Sequence, residues 1–217
     1  VNYSSTTVLS SATVNDISEK QYYWRVYTVD LASNANITLL TTYYSLIIDY
    51  SSPTVIKNNT WDQTMWYNSD PGTVFDVDFQ DLGAGVTTGY YRVCTTPNGS
   101  NEIITWTPVF SVPSGTNSYT ANWALSAGHW QLLSAGTNYF SIRAEDKVVL
   151  STTVADMFVV LKDTVVPNAI TNLTITTGIT AGELGLTWTA PGDDPTAGTV
   201  KSYTAKYRTI TDGQFTE

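Results

Sequence analysis

The stretch LLSAGTNYFSIRAED, residues 132–146, places a leucine before a Gly-Thr pair and a tyrosine two positions after the threonine, then alternates to a closing acid. A similar line, ISEKQYYWRVYTVD, stands at residues 17–30. Setting Tyr139 on Tyr23, an offset of 116 (139 − 23), also sets Leu133 on Ile17 and Asp146 on Asp30. Farther on, VVLKDTVVP with Asp163 and Pro167 matches LIIDYSSP with Asp49 and Pro53 at an offset of 114 (163 − 49). The drift of two residues marks a small indel in a loop, where length changes are tolerated. This spacing exceeds a solenoid unit of roughly 20 to 50 residues and fits one domain of about 100. The chain therefore reads as a string of similar domains.

Composition points to strands. Of 217 residues, 42% are hydrophobic and 13% charged, with seven Trp, fourteen Tyr and abundant Thr and Ser. Thr, Val, Tyr and Trp suit pleated, half-buried surfaces. The one helical candidate is LSAGHWQLLSAG, residues 125–136, whose Leu125, Trp130, Leu132 and Leu133 allow about two turns beneath a sheet. A net charge of −9 argues against a nucleic-acid partner, which requires clustered Lys and Arg. No run of about 18 apolar residues is present, so no membrane segment is expected. Cys94 is the single cysteine, so no intrachain disulfide can form and the cores must hold by burial. Low Lys, high Thr and Ser, and negative charge point to an extracellular setting.

Three modules are expected. Residues 1–50 carry YYWRVYTVD, a turn at ASNAN and TTYYSLIID, the back half of a sandwich. Residues 51–163 carry TVIK, TVFDVDFQD, TGYYRVCTT, EIITWTPV, SYTANWAL, NYFSIRAED and MFVVLK, enough strands for a complete one. In TVFDVDF the pairs Val74, Val77 and Phe75, Phe79 do not keep one phase, which predicts a bulge or two partly covered faces. Residues 164–217 carry ITNLTITTG, ELGLTWTAPGDD and KSYTAKYRT, the front half of a third module. Such a chain looks like a window on something longer; alternatively, half-modules of neighbouring chains could complete each other by strand complementation, a homo-assembly.

These residues resemble fibronectin type III and related bacterial immunoglobulin-like modules. LGLTWTAP, with Leu186, Trp188 and Pro191, is similar to the second strand of a fibronectin type III domain, and SYTAKYRT, with Tyr203 and Tyr207, to its third. LSAGTNYFSIRA, with Leu133, Gly136, Thr137 and Tyr139, resembles the corner and sixth strand, where the resemblance implies that the tyrosine hydroxyl turns back onto the backbone. IIDYSSP and LKDTVVP are similar to the joints between repeats of very large bacterial surface proteins. Two departures stand out: EKQYY replaces the Gly-Thr corner in the first module, and EDKVVL lacks the Asn-rich turn of DLASNAN. The expected fold is all-β, with tandem antiparallel β-sandwich domains of immunoglobulin-like or fibronectin type III kind, one complete and two partial. Short Pro-containing linkers imply a stiff or gently zigzagging rod.

Residues able to carry chemistry are few. His129, the only histidine, and Cys94, without a second thiol, read as packing residues rather than a nucleophile pair. Carboxylates are better candidates. Asp76, Asp78 and Asp81 cluster in FDVDFQD, and alternation puts Asp76 and Asp78 on one strand face, where they could share calcium with a loop oxygen. Asp193 and Asp194 adjoin in PGDDP, and Asp49 and Asp163 end strands entering the linkers, where calcium would stiffen joints. No loop has the regular oxygen spacing of a dedicated calcium site, and turn aspartates commonly bond their own backbone. No other cofactor is expected. Trp61, Trp66 and Trp106 offer an aromatic surface for a cell-surface glycan or a partner cell, while Trp24 and Trp188 are expected in the core. The expected role is a non-catalytic stalk or fibre segment of a large extracellular bacterial surface protein, whose partners are neighbouring repeats. A glycan- or partner-binding module and an accessory domain of a secreted hydrolase are the alternatives.

Overall fold

The computed structural model describes residues 13–15, 17–35, 43–58, 63–193, 198–208 and 211. These residues form an all-β chain with several sheets. The strands are β1 (Lys20–Trp24), β2 (Tyr44–Ile48), β3 (Thr54–Lys57), β4 (Trp66–Tyr67), β5 (Val77–Gln80), β6 (Val86–Cys94), β7 (Glu102–Thr116) and β8 (Ser118–Tyr119). After the helix α1 (Ala127–Leu132) come β9 (Gly136–Asp146), β10 (Ser151–Lys162), β11 (Thr174–Thr177) and β12 (Leu184–Thr187). The chain divides into two compact units, Val1–Asp163 and Thr164–Glu217.

In the first unit β1 and β2 form an antiparallel pair. Two further sheets follow: a three-stranded one in the order β3-β5-β8, and a five-stranded one in the order β4-β10-β9-β6-β7. All pairings in these two sheets are antiparallel except β4 with β10. Both sheets feed one core, in which Val77 and Phe79 of β5 join Tyr91 and Val93 of β6, Phe140 and Ile142 of β9, and Phe158 and Val160 of β10. This arrangement is consistent with a β-sandwich.

The phase within FDVDF is cleaner than the sequence suggested. Phe75, Val77 and Phe79 are all fully buried, and β5 pairs with β3 without a register shift. Val74 is only half-buried. The alternation begins at Phe75 because an isolated bridge to Trp123 extends the pleat before β5 starts. Phe75 is also the hub of the rings: it stacks on Trp123 at 4.3 Å and meets Phe140 and the edge of Phe158 at 5.2 Å each. Tyr91 stacks on the same Trp123 at 4.9 Å. Gly89 of β6 lies where the rings of Phe79 and Phe110 close over the strand, and a Cβ there would fall on both.

Polar devices complete the core. Ser126 caps α1, its hydroxyl accepting the His129 amide at 3.2 Å. The buried Lys162 ammonium donates to the Trp130 and Leu133 carbonyls at 3.0 and 2.9 Å, tying the helix end to β10. At the corner before β9 the expected tyrosine gives way to its neighbour. Asn138 is fully buried, accepts the Ser134 amide at 3.0 Å and donates to the carbonyls of Ser134 and Gly136, whereas Tyr139 lies half-buried on the other face. The long strand β7 is an edge, and its Pro108 and Pro113 sit where a missing N–H is tolerated.

In the second unit β11 and β12 pair antiparallel, and half-buried Trp188 meets Tyr203 edge-on at 5.2 Å. Trp24 is likewise half-buried. Among the described residues no helix is long and apolar enough to cross a membrane.

Two substitutions test this core. Phe75→Ala should cost about 3 to 5 kcal/mol, because a large ring is lost from a site that cannot collapse. Asn138→Ala should cost about 1 to 3 kcal/mol, because the part-buried Ser134 amide loses its acceptor and the corner carbonyls lose their donor. Urea denaturation of each variant measures both.

Candidate metal centre

Three loops of the first unit are closed by the same device. Asp30, Asp81 and Asp146 each use one carboxylate oxygen, Oδ1, to accept backbone amides two and four residues on. For Asp30 these are Ala32 and Asn34 at 2.9 and 2.7 Å, for Asp81 Gly83 and Gly85 at 2.8 and 3.0 Å, and for Asp146 Val148 and Leu150 at 2.8 and 2.9 Å. An aspartate holding its own turn in this way is ordinary turn chemistry. The repeated pair Asp30 and Asp146 matches further. Each aspartate donates its own amide to the carbonyl four residues on, Asn34 at 2.9 Å and Leu150 at 3.0 Å. Ser33 and Val149, three residues after each aspartate, share a φ of 70°.

The two loops differ in the second oxygen. Asp30 Oδ2 accepts the Asn34 side-chain amide at 2.8 Å. Leucine occupies the corresponding position in the second loop and offers no donor. Asp146 is 2% exposed, and its Oδ2 is buried without a hydrogen-bond partner. That carboxylate converges with two others. Asp49, Asp81 and Asp146 each present an oxygen within 4.8 Å of the other two. Asp81 is buried as well, at 5% exposure, and Asp49 is half-buried.

Asp49 is held in place from both sides of its group. Its Oδ2 accepts the Ala84 amide at 2.6 Å and its Oδ1 the Ser51 amide at 3.0 Å. Gly83 makes the approach possible, since a Cβ there would fall on the Asp49 carboxylate. Among the described residues none of the three aspartates is ion-paired. Three like charges this close repel by on the order of 3 kcal/mol per pair in a partly buried setting. Burial, and after it the charges of Asp81 and Asp49, push the Asp146 carboxyl up, whereas the Asn34 side chain holds the Asp30 carboxyl down. A set of hard, anionic oxygen donors suits a hard divalent cation.

The aspartates expected from the sequence divide. Asp81 belongs to this group. Asp76 and Asp78 do not: half-buried, just before β5 and within it, they lie on the face opposite Phe75, Val77 and Phe79, where Asp76 accepts the Asn58 side-chain amide at 3.3 Å. Asp49, expected at a linker, is in the group, and Asp146 was not anticipated as a ligand. Its signal was the loss of an asparagine counterpart in EDKVVL relative to DLASNAN. Asp193 is half-buried in the second unit; Asp194 and Trp61 lie outside the described residues. Trp66 is 59% exposed, while Trp106 is half-buried beneath the guanidinium groups of Arg92 and Arg143, at 4.8 and 5.0 Å.

His129 and Cys94 are engaged in packing. The His129 Nδ1 meets the Tyr91 hydroxyl, and Cys94 is buried with its thiol pushed up chiefly by burial. No family model matches the chain, and a search of curated proteins likewise finds no match.

Burial pushes the Tyr91 phenol up to about 12. A proton held more tightly by the folded state stabilises it fully below the unfolded value of about 10 and is lost as pH rises through the folded value. The stability difference between wild type and Tyr91→Phe should therefore be constant below about pH 10 and move against the wild type above it. Urea midpoints of both proteins across that range measure it.

Proposed function

We propose that this chain is a non-catalytic structural segment, part of a stalk or fibre, of a large extracellular bacterial surface protein. In this proposal residues 51–163 form a complete immunoglobulin-like module of fibronectin type III kind, flanked by partial modules at 1–50 and 164–217. The strand order supports that kind: β3-β5-β8 opposite β10-β9-β6-β7, with short β4 added in parallel to the edge at β10. Fold alone does not define a role.

The observation that carries the mechanical role is the connection between β2 and β3. Three consecutive residues there are tied in both directions. On the side of the β1–β2 pair, Tyr50 donates its amide to Glu19 at 2.6 Å and its hydroxyl to the Ile17 carbonyl at 2.6 Å, and the Ser51 hydroxyl donates to Glu19 at 2.9 Å. On the other side, Asp49 accepts the Ala84 amide from the loop after β5. A connection clamped this way transmits load rather than swinging freely. The aromatic rings support the same role, because Trp123 and Trp130 are spent inside the core.

Exposed Trp66 favours the alternative of glycan or partner binding, and the accessory domain of a secreted hydrolase remains the third possibility for a parent chain. Pulling the full chain by its ends distinguishes these roles. The structural role predicts a discrete unfolding event that releases on the order of 350 to 400 Å, about 110 residues at roughly 3.3 to 3.6 Å each. It also predicts that a glycan array retains nothing. Gradual lengthening without a discrete event, or glycan retention abolished by Trp66→Ala, would contradict it.

A further inference from the structure

We propose that Asp49, Asp81 and Asp146 bind one calcium ion, which joins the β2–β3 connection to the loops after β5 and β9. The inference stands on the carboxylates and holds whether or not the chain is a surface segment. Its independent support is Asp146 Oδ2, a buried carboxylate oxygen with no partner, in a residue 2% exposed. The internal repeat acts as a control. The equivalent Asp30 oxygen, in a loop closed by the same amide contacts, is satisfied by Asn34 Nδ2 at 2.8 Å and, among the described residues, belongs to no such cluster. Where the asparagine is absent, two further carboxylates arrive instead.

The dimensions fit. Calcium takes oxygen ligands at about 2.3 to 2.6 Å, so two donors on opposite sides of the ion stand up to about 5 Å apart. One oxygen from each of the three aspartates lies within 4.8 Å of the other two. Calcium rather than magnesium is expected because these donors come from three separate loops. Such a set tolerates calcium's irregular coordination more readily than the near-ideal octahedron magnesium demands. Backbone amides pin all three groups, Asp49 on both oxygens and Asp81 and Asp146 on Oδ1, so the donors are pre-positioned at little cost in ordering.

Calorimetric titration of the full chain, freed of metal by a chelator, tests this, with thermal melting alongside. Calcium chloride should bind once per chain with a dissociation constant on the order of 10⁻⁴ M or tighter, and should raise Tm. Magnesium chloride should bind at least about tenfold more weakly. Asp49→Asn, on a half-buried residue, should weaken calcium about tenfold or more. Gly83→Ala keeps all three carboxylates yet displaces that of Asp49, and should weaken calcium as well. Asp146→Asn should raise the Tm of the metal-free chain, because it removes one of three like charges and puts an N–H donor beside the Asp49 and Asp81 carboxylates, while abolishing the calcium-induced rise. Absence of calcium binding in the wild type would overturn the proposal. Binding unchanged in both Asp49→Asn and Gly83→Ala would place the ion elsewhere and overturn it too, and equal affinity for magnesium would overturn the choice of calcium.

Discussion

Asp146 has two carboxylate oxygens and only one of them is free to choose. Oδ1 is committed to the amides of Val148 and Leu150, which close the loop between the two long strands β9 and β10. With Oδ1 fixed, the carboxylate is held in place, and the fold has brought an oxygen of Asp49 and one of Asp81 within 4.8 Å of it. The same commitment at Asp81 fixes the loop after β5 through Gly83 and Gly85. Two loops held by their own aspartates thus present charge at one point, and the β2–β3 connection brings a third charge to it. Local turn chemistry and the joint between successive strand pairs are the same problem in this chain.

Burial around Phe75 makes that geometry rigid. A chain with one cysteine has no disulfide to brace its sheets, and the rings of Phe75, Trp123, Tyr91, Phe140 and Phe158 supply the apolar area instead. Each ring contributes a large burial term, and their edge-on and stacked contacts add specificity to it. The groups that could have carried covalent chemistry are drawn into the same packing: His129 against the Tyr91 hydroxyl and Cys94 along β6.

Strand existence was legible because alternation and turn residues are local signals. The helix at Ala127–Leu132 was legible for the same reason, from the spacing of Leu125, Trp130, Leu132 and Leu133, while its Ser126 cap emerged only in the structure. Phase in FDVDF was not, because Val74 looks like a strand residue but falls before the bridge that starts the pleat at Phe75. The corner misled in a similar way. Tyr139 has the expected spacing, yet Asn138 points inward and its amide meets the corner carbonyls. The carboxylate cluster was legible in one residue out of three by proximity in sequence, Asp81, and in a second by position, Asp49. Proximity in sequence selected Asp76 and Asp78, but alternation turns both outward. Asp146 lies far from Asp49 along the chain, and only the strand pairing brings them together. Its trace in the sequence was comparative: two copies of one loop, of which one had lost its asparagine.

A calcium-soaked crystal, measured for anomalous scattering, tests the central claim most directly. The account predicts a single peak bounded by Asp49, Asp81 and Asp146, with oxygen distances of about 2.3 to 2.6 Å. A map without a peak there, in which Asp146 Oδ2 instead shares a proton with Asp49 or Asp81 across a short hydrogen bond, would contradict it.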